Sequence, residues 1–154
     1  MHSVIAAGAG FLIAVLWFDL MFDVQARRGG ETAPTAALAS ISAYYRRVTT
    51  EAGAMSRLVS AVMLAVLAAI VVEIAQGADP WWIGWGSLAG AAGAIGLAVA
   101  RVVRNAKRLG RAQDPLPVQS ALARLILRDH VACLSAMILV LALQLAAELG
   151  AFLR

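Results

Sequence analysis

Long apolar stretches separated by polar segments dominate the 154-residue chain. A helix that crosses a membrane needs about 20 mostly apolar residues to cover roughly 30 Å of hydrocarbon. Four stretches meet this requirement, at about residues 4–24, 58–76, 81–103 and 131–153, here numbered spans 1 to 4. The pattern therefore predicts an all-α fold, a four-helix transmembrane bundle in which residues 1–154 form a single integral membrane domain.

The connections between the spans differ in length. Spans 2 and 3 are joined by a short turn, in which Gly77 suits the position after a helix, Asp79 an N-cap and Pro80 the first helical turn. So short a turn predicts that these two helices are antiparallel neighbours. The other two connections carry apolar residues at helical spacing, which predicts helical segments at about 35–57 and 115–130. We expect these segments to extend spans 2 and 4 or to lie at the membrane interface.

The placement of charge predicts an orientation. Basic residues are concentrated in the connections at 25–57 and 104–128, and cytoplasmic loops carry such an excess. Both connections are therefore predicted to face the cytoplasm, with the N- and C-termini on the non-cytoplasmic side. Trp81 then fits an outer aromatic belt, while Tyr44 and Tyr45 fit an anchor at the inner surface.

The composition excludes a soluble domain. Hydrophobic residues make up 62% of the chain, against roughly 45–50% apolar residues in soluble domains. The formal net charge of +4 lies in the connections, where an orienting signal explains it, so no nucleic-acid partner is predicted. The expected partners are the lipid bilayer and either another membrane protein subunit or a second copy of this chain.

Seven ionisable side chains lie in or beside the spans and are the candidates for ion pairs or proton relays. They are Asp19, Asp23, Glu73, Arg101, Arg104, His130 and Glu148. Asp19 and Asp23 are four residues apart, so they share one face of span 1 near its basic connection. Arg101 lies at the matching depth of span 3, and unpaired charge in hydrocarbon is costly. We therefore predict an Asp19–Arg101 ion pair, with Asp23–Arg104 as the alternative pairing; the two carboxylates could otherwise bind a cation or relay protons.

Glu73 and Glu148 lie toward the outer ends of spans 2 and 4. One interpretation is that Gln76, Gln144 or water satisfies them at the interface, and another is that they form the proton-coupled pair of a small transporter. His130 begins span 4, and we expect it to complete an ion network. His130 and Cys133 are too few ligands for a metal, so neither a metal site nor a cofactor is predicted.

Span 3 is rich in small residues, including Gly86, Gly90 and Gly93. Glycines at this spacing let two helices approach closely in a membrane. Such packing could occur within the bundle or between protomers, and we favour packing within the bundle.

Three segments, Trp17–Asp23, Tyr44–Thr50 and Arg128–His130, resemble a family of small bacterial four-span membrane proteins. The resemblance implies a bacterial inner membrane and brings no established activity with it. Because the chain shows neither a metal-ligand set nor a nucleophile–base arrangement, the expected function is non-enzymatic, as an accessory or scaffold subunit of a membrane complex. The alternatives are a proton- or cation-coupled transporter that works as an oligomer, and a membrane enzyme acting on a lipophilic substrate.

Overall fold

A computed structural model of the chain describes residues 1–27, 30, 32–77 and 80–153, and within these ranges every regular element is a helix. The α-helices are α1 His2–Asp23, α2 Thr35–Arg46, α3 Gly53–Ala75, α4 Trp81–Leu97, α5 Val103–Gly110 and α6 Leu116–Phe152. A 3-10 turn, Val24–Arg27, ends α1. Two π-helical segments, Arg47–Glu51 and Ala98–Val102, follow α2 and α4.

Four continuous helical stretches are long and apolar enough to cross a membrane. They are His2–Arg27, Gly53–Ala75, Trp81–Gly110 and Leu116–Phe152. The predicted all-α bundle with four spans is therefore confirmed. Many apolar side chains of these stretches point away from the chain, with Leu64 68% exposed and Val99 65% exposed, as expected for surfaces that lipid covers.

The helical segments outside the predicted spans differ from each other. Span 4 is extended without interruption, because α6 begins at Leu116. The segment before span 2 is helical from Thr35 to Glu51, but Ala52 leaves the helical region with φ −90° and ψ 52°. This segment is therefore a separate element rather than an extension of span 2, and Gly53, a weak helix former, follows the break.

The four long helices form a ring in the order α1, α3, α4, α6, with antiparallel neighbours. Among the described residues, α1 and α4 are not in contact and face each other across one diagonal. The end at which α1 ends and α6 begins carries the long connections, and we call it the basic end. The opposite end, which holds His2 and Phe152, is the terminal end.

The turn between α3 and α4 has the predicted left-handed residue. Gly77 has φ +68°, a conformation that glycine adopts without steric cost. Pro80 directly precedes α4, and Asp79, the predicted N-cap, lies outside the described residues. Just beyond the turn, a Cβ at Gly84 would lie 2.8 Å from Cγ1 of Ile74, so α3 and α4 pack closely at the terminal end.

The three glycines that were predicted to pack against a neighbouring helix differ from one another in their surroundings. A Cβ at Gly90 would lie 3.0 Å from Cγ2 of Val140, and one at Gly86 would lie 3.3 Å from Leu143, so both glycines let α4 approach α6. Gly93 points away from the chain, with no atom within 4 Å of its Cβ position. The packing role within the bundle that was predicted for Gly93 is therefore wrong, because helix rotation turns this residue outward.

A second apolar core closes the basic end. The side chains that form it come from the turn after α1, from α2, from α5 and from the start of α6, and include Ala26, Leu38, Ile41, Tyr45, Ala106, Leu109, Leu122 and Ile126. At its edge α5 touches the backbone of α2, since a Cβ at Gly110 would lie 2.8 Å from the backbone nitrogen of Arg46. We call this layer, made of α2, α5 and the first turns of α6, the cap.

Candidate functional site

The junction between bundle and cap contains a cluster of polar side chains. Asp19 and Asp23 project from the last turns of α1 toward two consecutive tyrosines of α2. The Tyr44 hydroxyl donates a hydrogen bond of 2.5 Å to Oδ1 of Asp19. The Tyr45 hydroxyl donates one of 2.5 Å to Oδ1 of Asp23. Each carboxylate of α1 thus fixes one tyrosine of the cap.

His130 of α6 lies between the same two carboxylates. Its Nδ1 donates a hydrogen bond of 2.6 Å to Oδ2 of Asp23, and its Nε2 lies 3.8 Å from Oδ2 of Asp19. Asp23 has no exposed surface, and His130 is only 4% exposed. Because a buried carboxylate needs donors, Tyr45 and His130 together satisfy both oxygens of Asp23. We call Asp19, Asp23, Tyr44, Tyr45 and His130 the carboxylate–tyrosine cluster.

The two tyrosines are held in the protonated form. Burial raises the pKa of Tyr45 well above its usual value, and the charges of Asp23 and Asp19 raise it further. Burial likewise raises the pKa of Tyr44, with the charge of Asp19 acting in the same direction. Both hydroxyls therefore remain donors to the carboxylates throughout the neutral range.

The predicted Asp19–Arg101 ion pair is wrong. Nε of Arg101 lies 3.2 Å from Oδ2 of Asp129, the residue before His130. The alternative pairing also fails, because Asp23 is satisfied by Tyr45 and His130, while Arg104 is exposed. The physical reason is the ring order: α1 and α4 lie across the diagonal, so equal depth does not bring their side chains together, whereas α6 is a neighbour of both.

A second polar cluster lies at the terminal end and joins four helices. Nδ1 of His2 donates a hydrogen bond of 2.7 Å to Oε1 of Gln144. Nε2 of Gln144 donates one of 2.9 Å to Oγ of Ser87 and a longer one of 3.4 Å to Oε1 of Glu73. Of the partners predicted for Glu73, Gln144 is therefore the one in contact. Glu148 instead accepts a hydrogen bond of 2.6 Å from Oγ of Ser3.

An apolar layer separates the two clusters. It is formed by Ile5, Ala9, Leu12, Val66, Ala69, Ile70, Ala91, Ala94, Met137 and Val140, together with Cys133, whose thiol donates to the carbonyl of Ala94. His130 and Gln144 are 14 residues apart on α6 (144 − 130), or roughly 21 Å at 1.5 Å per residue. Within the described residues, the protein therefore has two separate polar sites rather than one continuous polar path.

A cavity of about 320 Å³ lies beside the carboxylate–tyrosine cluster. Its walls come from all four long helices. Val48 and Thr49 of the π-helical segment after α2 also line it, as do Ala98 and Val102 of the π-helical segment after α4. Asp19 provides the carboxylate in its wall. In the described ranges, no three His, Cys, Asp or Glu side chains are arranged to hold a metal ion. The site therefore combines an apolar space with a hydrogen-bonding edge.

Comparison with other proteins does not extend this description. No family model matches the chain, and no curated protein or solved structure is significantly similar to it.

The sequence indicated part of the carboxylate–tyrosine cluster. Asp19, Asp23 and His130 were candidates, whereas Tyr44 and Tyr45 were predicted as interface anchors and Asp129 was not a candidate at all. The signal for the tyrosines was their position on the apolar face of a predicted helix, since Tyr45 follows Leu38 and Ile41 at helical spacing. A buried tyrosine requires a hydrogen-bond partner, and that requirement pointed to the carboxylates.

Energetic coupling between Asp23 and His130 is the first testable consequence. We expect Asp23→Leu and His130→Leu each to lower the free energy of unfolding by about 3–5 kcal/mol, since each leaves a buried polar partner unsatisfied. The free energy of unfolding should fall much less in the double variant than the sum of the decreases in the two single variants. Unfolding of the purified protein in mixed micelles, by titration with a denaturing detergent, measures these values.

The matched control replaces Asp23 and Arg101 together, because the structure keeps these two side chains apart. Their effects should add to within about 0.5 kcal/mol, as for independent sites. Additive effects for Asp23 with His130, or strong coupling of Asp23 with Arg101, would contradict the observed network.

Proposed function

We propose that the chain is a multi-pass protein of the bacterial inner membrane, with its basic end in the cytoplasm and its terminal end outside. The exposed side chains of the basic end support this orientation, because they include Arg27, Arg46, Arg47, Arg57, Arg104, Lys107, Arg108, Arg111 and Arg128. Cytoplasmic surfaces of membrane proteins carry such an excess, and anionic headgroups attract it. The bacterial location follows from the family resemblance of the sequence.

Labelling of single cysteines tests the orientation. In a Cys133→Ser background, Arg111→Cys at the basic end and Phe152→Cys at the terminal end, where Phe152 is 86% exposed, give a matched pair. A membrane-impermeant maleimide applied to intact spheroplasts should label Phe152→Cys and leave Arg111→Cys unlabelled until the cells are opened. The reverse pattern would overturn the proposed orientation.

Within that membrane we propose a non-enzymatic role, as a small accessory or scaffold subunit. The observation that carries the proposal is the use of the buried polar groups: the carboxylates of α1 bind Tyr44, Tyr45 and His130, and so attach the cap to the bundle. These contacts supply rigidity and hold an exposed basic surface at a fixed position. A rigid surface of one charge suits contact with a larger membrane protein or with a second copy of this chain.

A transporter has less support. A proton-coupled path would have to connect the carboxylate–tyrosine cluster with Glu73, but His130 and Gln144 are roughly 21 Å apart along α6, and the side chains between the two clusters are apolar. Glu73 is 2% exposed and lies in the cluster with Gln144, where His2 covers its outer side at 3.4 Å. These features favour a structural role for Glu73, since a relay carboxylate needs water on both sides.

An enzyme also has less support. Asp19 and His130 are the side chains that could serve as general acid or base, and both are engaged in the carboxylate–tyrosine cluster. A general base must reach the proton that it abstracts. His130 lines the cavity, but its Nδ1 is bound to Asp23 and its Nε2 faces Asp19, so both ring nitrogens are directed at carboxylates of α1.

The accessory role predicts a partner and the absence of transport. A photo-crosslinking amino acid at Arg104, on the exposed basic surface, should capture the same membrane protein or a second copy reproducibly in native membranes. The matched control places the same amino acid at Leu64, which faces lipid on α3, and should capture no such partner. Gentle extraction and mass spectrometry identify what is captured.

The transport readout uses the purified chain in liposomes under an imposed pH gradient. Native protein, Glu73→Gln and Glu148→Gln should all give the same slow background dissipation. Rapid flux that Glu73→Gln or Glu148→Gln abolishes would overturn the accessory role and favour the transporter.

A further inference from the structure

Exposed side chains of two neighbouring helical stretches, Gly53–Ala75 and Trp81–Gly110, line the cavity beside Asp19 near the basic end, and the opening lies between these stretches. α3 and α4 pack tightly near their connecting turn, whereas the side chains that line the cavity near the basic end of both helices are accessible. On one side Met55 is 53% exposed, and on the other Val99 and Val103 are 65% and 42% exposed. This opening faces the region that lipid occupies around the bundle, so a molecule dissolved in the membrane can reach the cavity without crossing the aqueous phase.

Polarity changes along the length of the cavity. Asp19, Tyr44 and His130 line it next to the cap, whereas Leu12 and Met137 line it toward the middle of the bundle. Asp19 and Leu12 are seven residues apart on α1 (19 − 12), or roughly 10 Å along the helix. The polar end therefore lies nearest the membrane surface and the apolar end points inward, which is the direction in which a lipid-soluble amphiphile lies in one leaflet.

The hydrogen bonds that the lining side chains already make limit the chemistry of the head group of such a molecule. Oδ1 of Asp19 accepts from Tyr44, but Oδ2 is 3.8 Å from His130, beyond hydrogen-bond distance, so it retains capacity to accept. The hydroxyls of Thr49 and Ser60 are already bonded to backbone carbonyls of their own helices. A head group that reaches Asp19 therefore meets an acceptor and must donate a hydrogen bond to it.

The charged side chains that line the cavity limit which head group can act as the hydrogen-bond donor, and they exclude a carboxylate head. A carboxylate head would face the carboxylate of Asp19, and like charges repel. An ammonium head would be attracted by Asp19, but it would be repelled by Lys107 at the rim and would have to leave water for an apolar space. A neutral hydroxyl donates to Asp19 without either cost.

We propose that this cavity is a binding site for a neutral amphiphile with an apolar body and a hydroxyl head, taken from the leaflet at the basic end. The hydroxyl donates to Oδ2 of Asp19, and the apolar body extends between Leu12, Met63 and Met137. The volume of about 320 Å³ lies at the lower end of the roughly 300–1,000 Å³ of small-molecule sites, which are mostly apolar with a few polar groups. The site shares Lys107, at its rim, with the exposed basic surface proposed for partner contact, whereas Asp19 and the apolar lining lie outside that surface.

Photolabelling of the full chain in nanodiscs tests this site with three probes that share one diazirine-bearing saturated chain. Their heads are a hydroxyl, an ammonium and a carboxylate. The alcohol should label cavity residues such as Met63 and Met137 saturably, and about tenfold more efficiently than the other two, in line with the strength of a hydrogen bond to a charged group. Excess unlabelled alcohol should remove the label.

Two tryptophan variants on the same helical stretch provide the matched comparison. Ala98→Trp fills the cavity and should abolish the saturable labelling, whereas Ala92→Trp, on the exposed side of α4, should leave it unchanged. Asp19→Leu should weaken labelling by the alcohol, because it removes the acceptor, and should narrow the preference for the alcohol over the carboxylate probe, because it removes the like charge. If Ala98→Trp does not fold, competition by unlabelled alcohol for the labelling of the wild-type protein still tests the site.

Labelling that does not saturate, or that is spread equally over lipid-facing residues, would overturn the proposed site. A preference for the ammonium or carboxylate probe would overturn the proposed head group. Because the nanodisc contains no partner protein, either result leaves the accessory role untouched.

Discussion

A carboxylate at the end of an apolar bundle must find its hydrogen-bond donors inside the protein, because hydrocarbon offers none. Asp23 meets this constraint completely: it has no exposed surface, and Tyr45 and His130 each donate to one of its oxygens. These two donors come from the helix before span 2 and from the start of α6. Satisfying one buried charge therefore fixes three segments of the chain relative to one another, and the apolar core of the cap forms around that point.

The cavity follows from the same arrangement. The cap is held over the basic end by its tyrosines, and the π-helical segments Arg47–Glu51 and Ala98–Val102 both lie where cap and bundle meet. A π-helical turn inserts extra backbone and shifts the side chains that follow, and such turns are frequent at functional sites. Val48 of the first segment and Ala98 of the second line the cavity. The cavity therefore results from the backbone path of these two π-helical segments rather than from loose packing of the bundle.

Much of the fold was accessible from the sequence, because each element depends on local pattern. The four spans follow from apolar length alone, and the helical face of α2 follows from the spacing of Leu38, Ile41 and Tyr45, all of which are buried. Gly77 was identifiable as a left-handed residue because few other residues adopt that conformation. The break at Ala52 was not predicted, since alanine gives no local signal for the end of a helix.

The pairing of charges depends on information that local pattern does not contain. Depth along the membrane can be counted from the sequence, and it placed Asp19 and Arg101 together. Which helices are neighbours depends on their order in the ring, and that order puts α6 between α1 and α4. Gly93 illustrates the same point, because the spacing of glycines shows that close approach is possible but not which face of α4 meets α6.

The two carboxylates of α1 hold both tyrosines of the chain as hydrogen-bond donors, Tyr45 buried and Tyr44 partly buried, and an alkaline titration tests this arrangement directly. Tyr44 and Tyr45 are the two tyrosines of the sequence, so tyrosinate absorbance reports on them alone. Their pKa values in the folded protein are raised, chiefly by burial, whereas unfolded tyrosine titrates at about 10. Above that pH the unfolded state loses protons that the folded state retains, so stability should fall as the pH rises past it. In detergent micelles, which add no protein, tyrosinate absorbance should stay flat through about pH 10 and rise only together with loss of helical circular dichroism. A reversible rise near pH 10 in protein that remains folded would contradict the account.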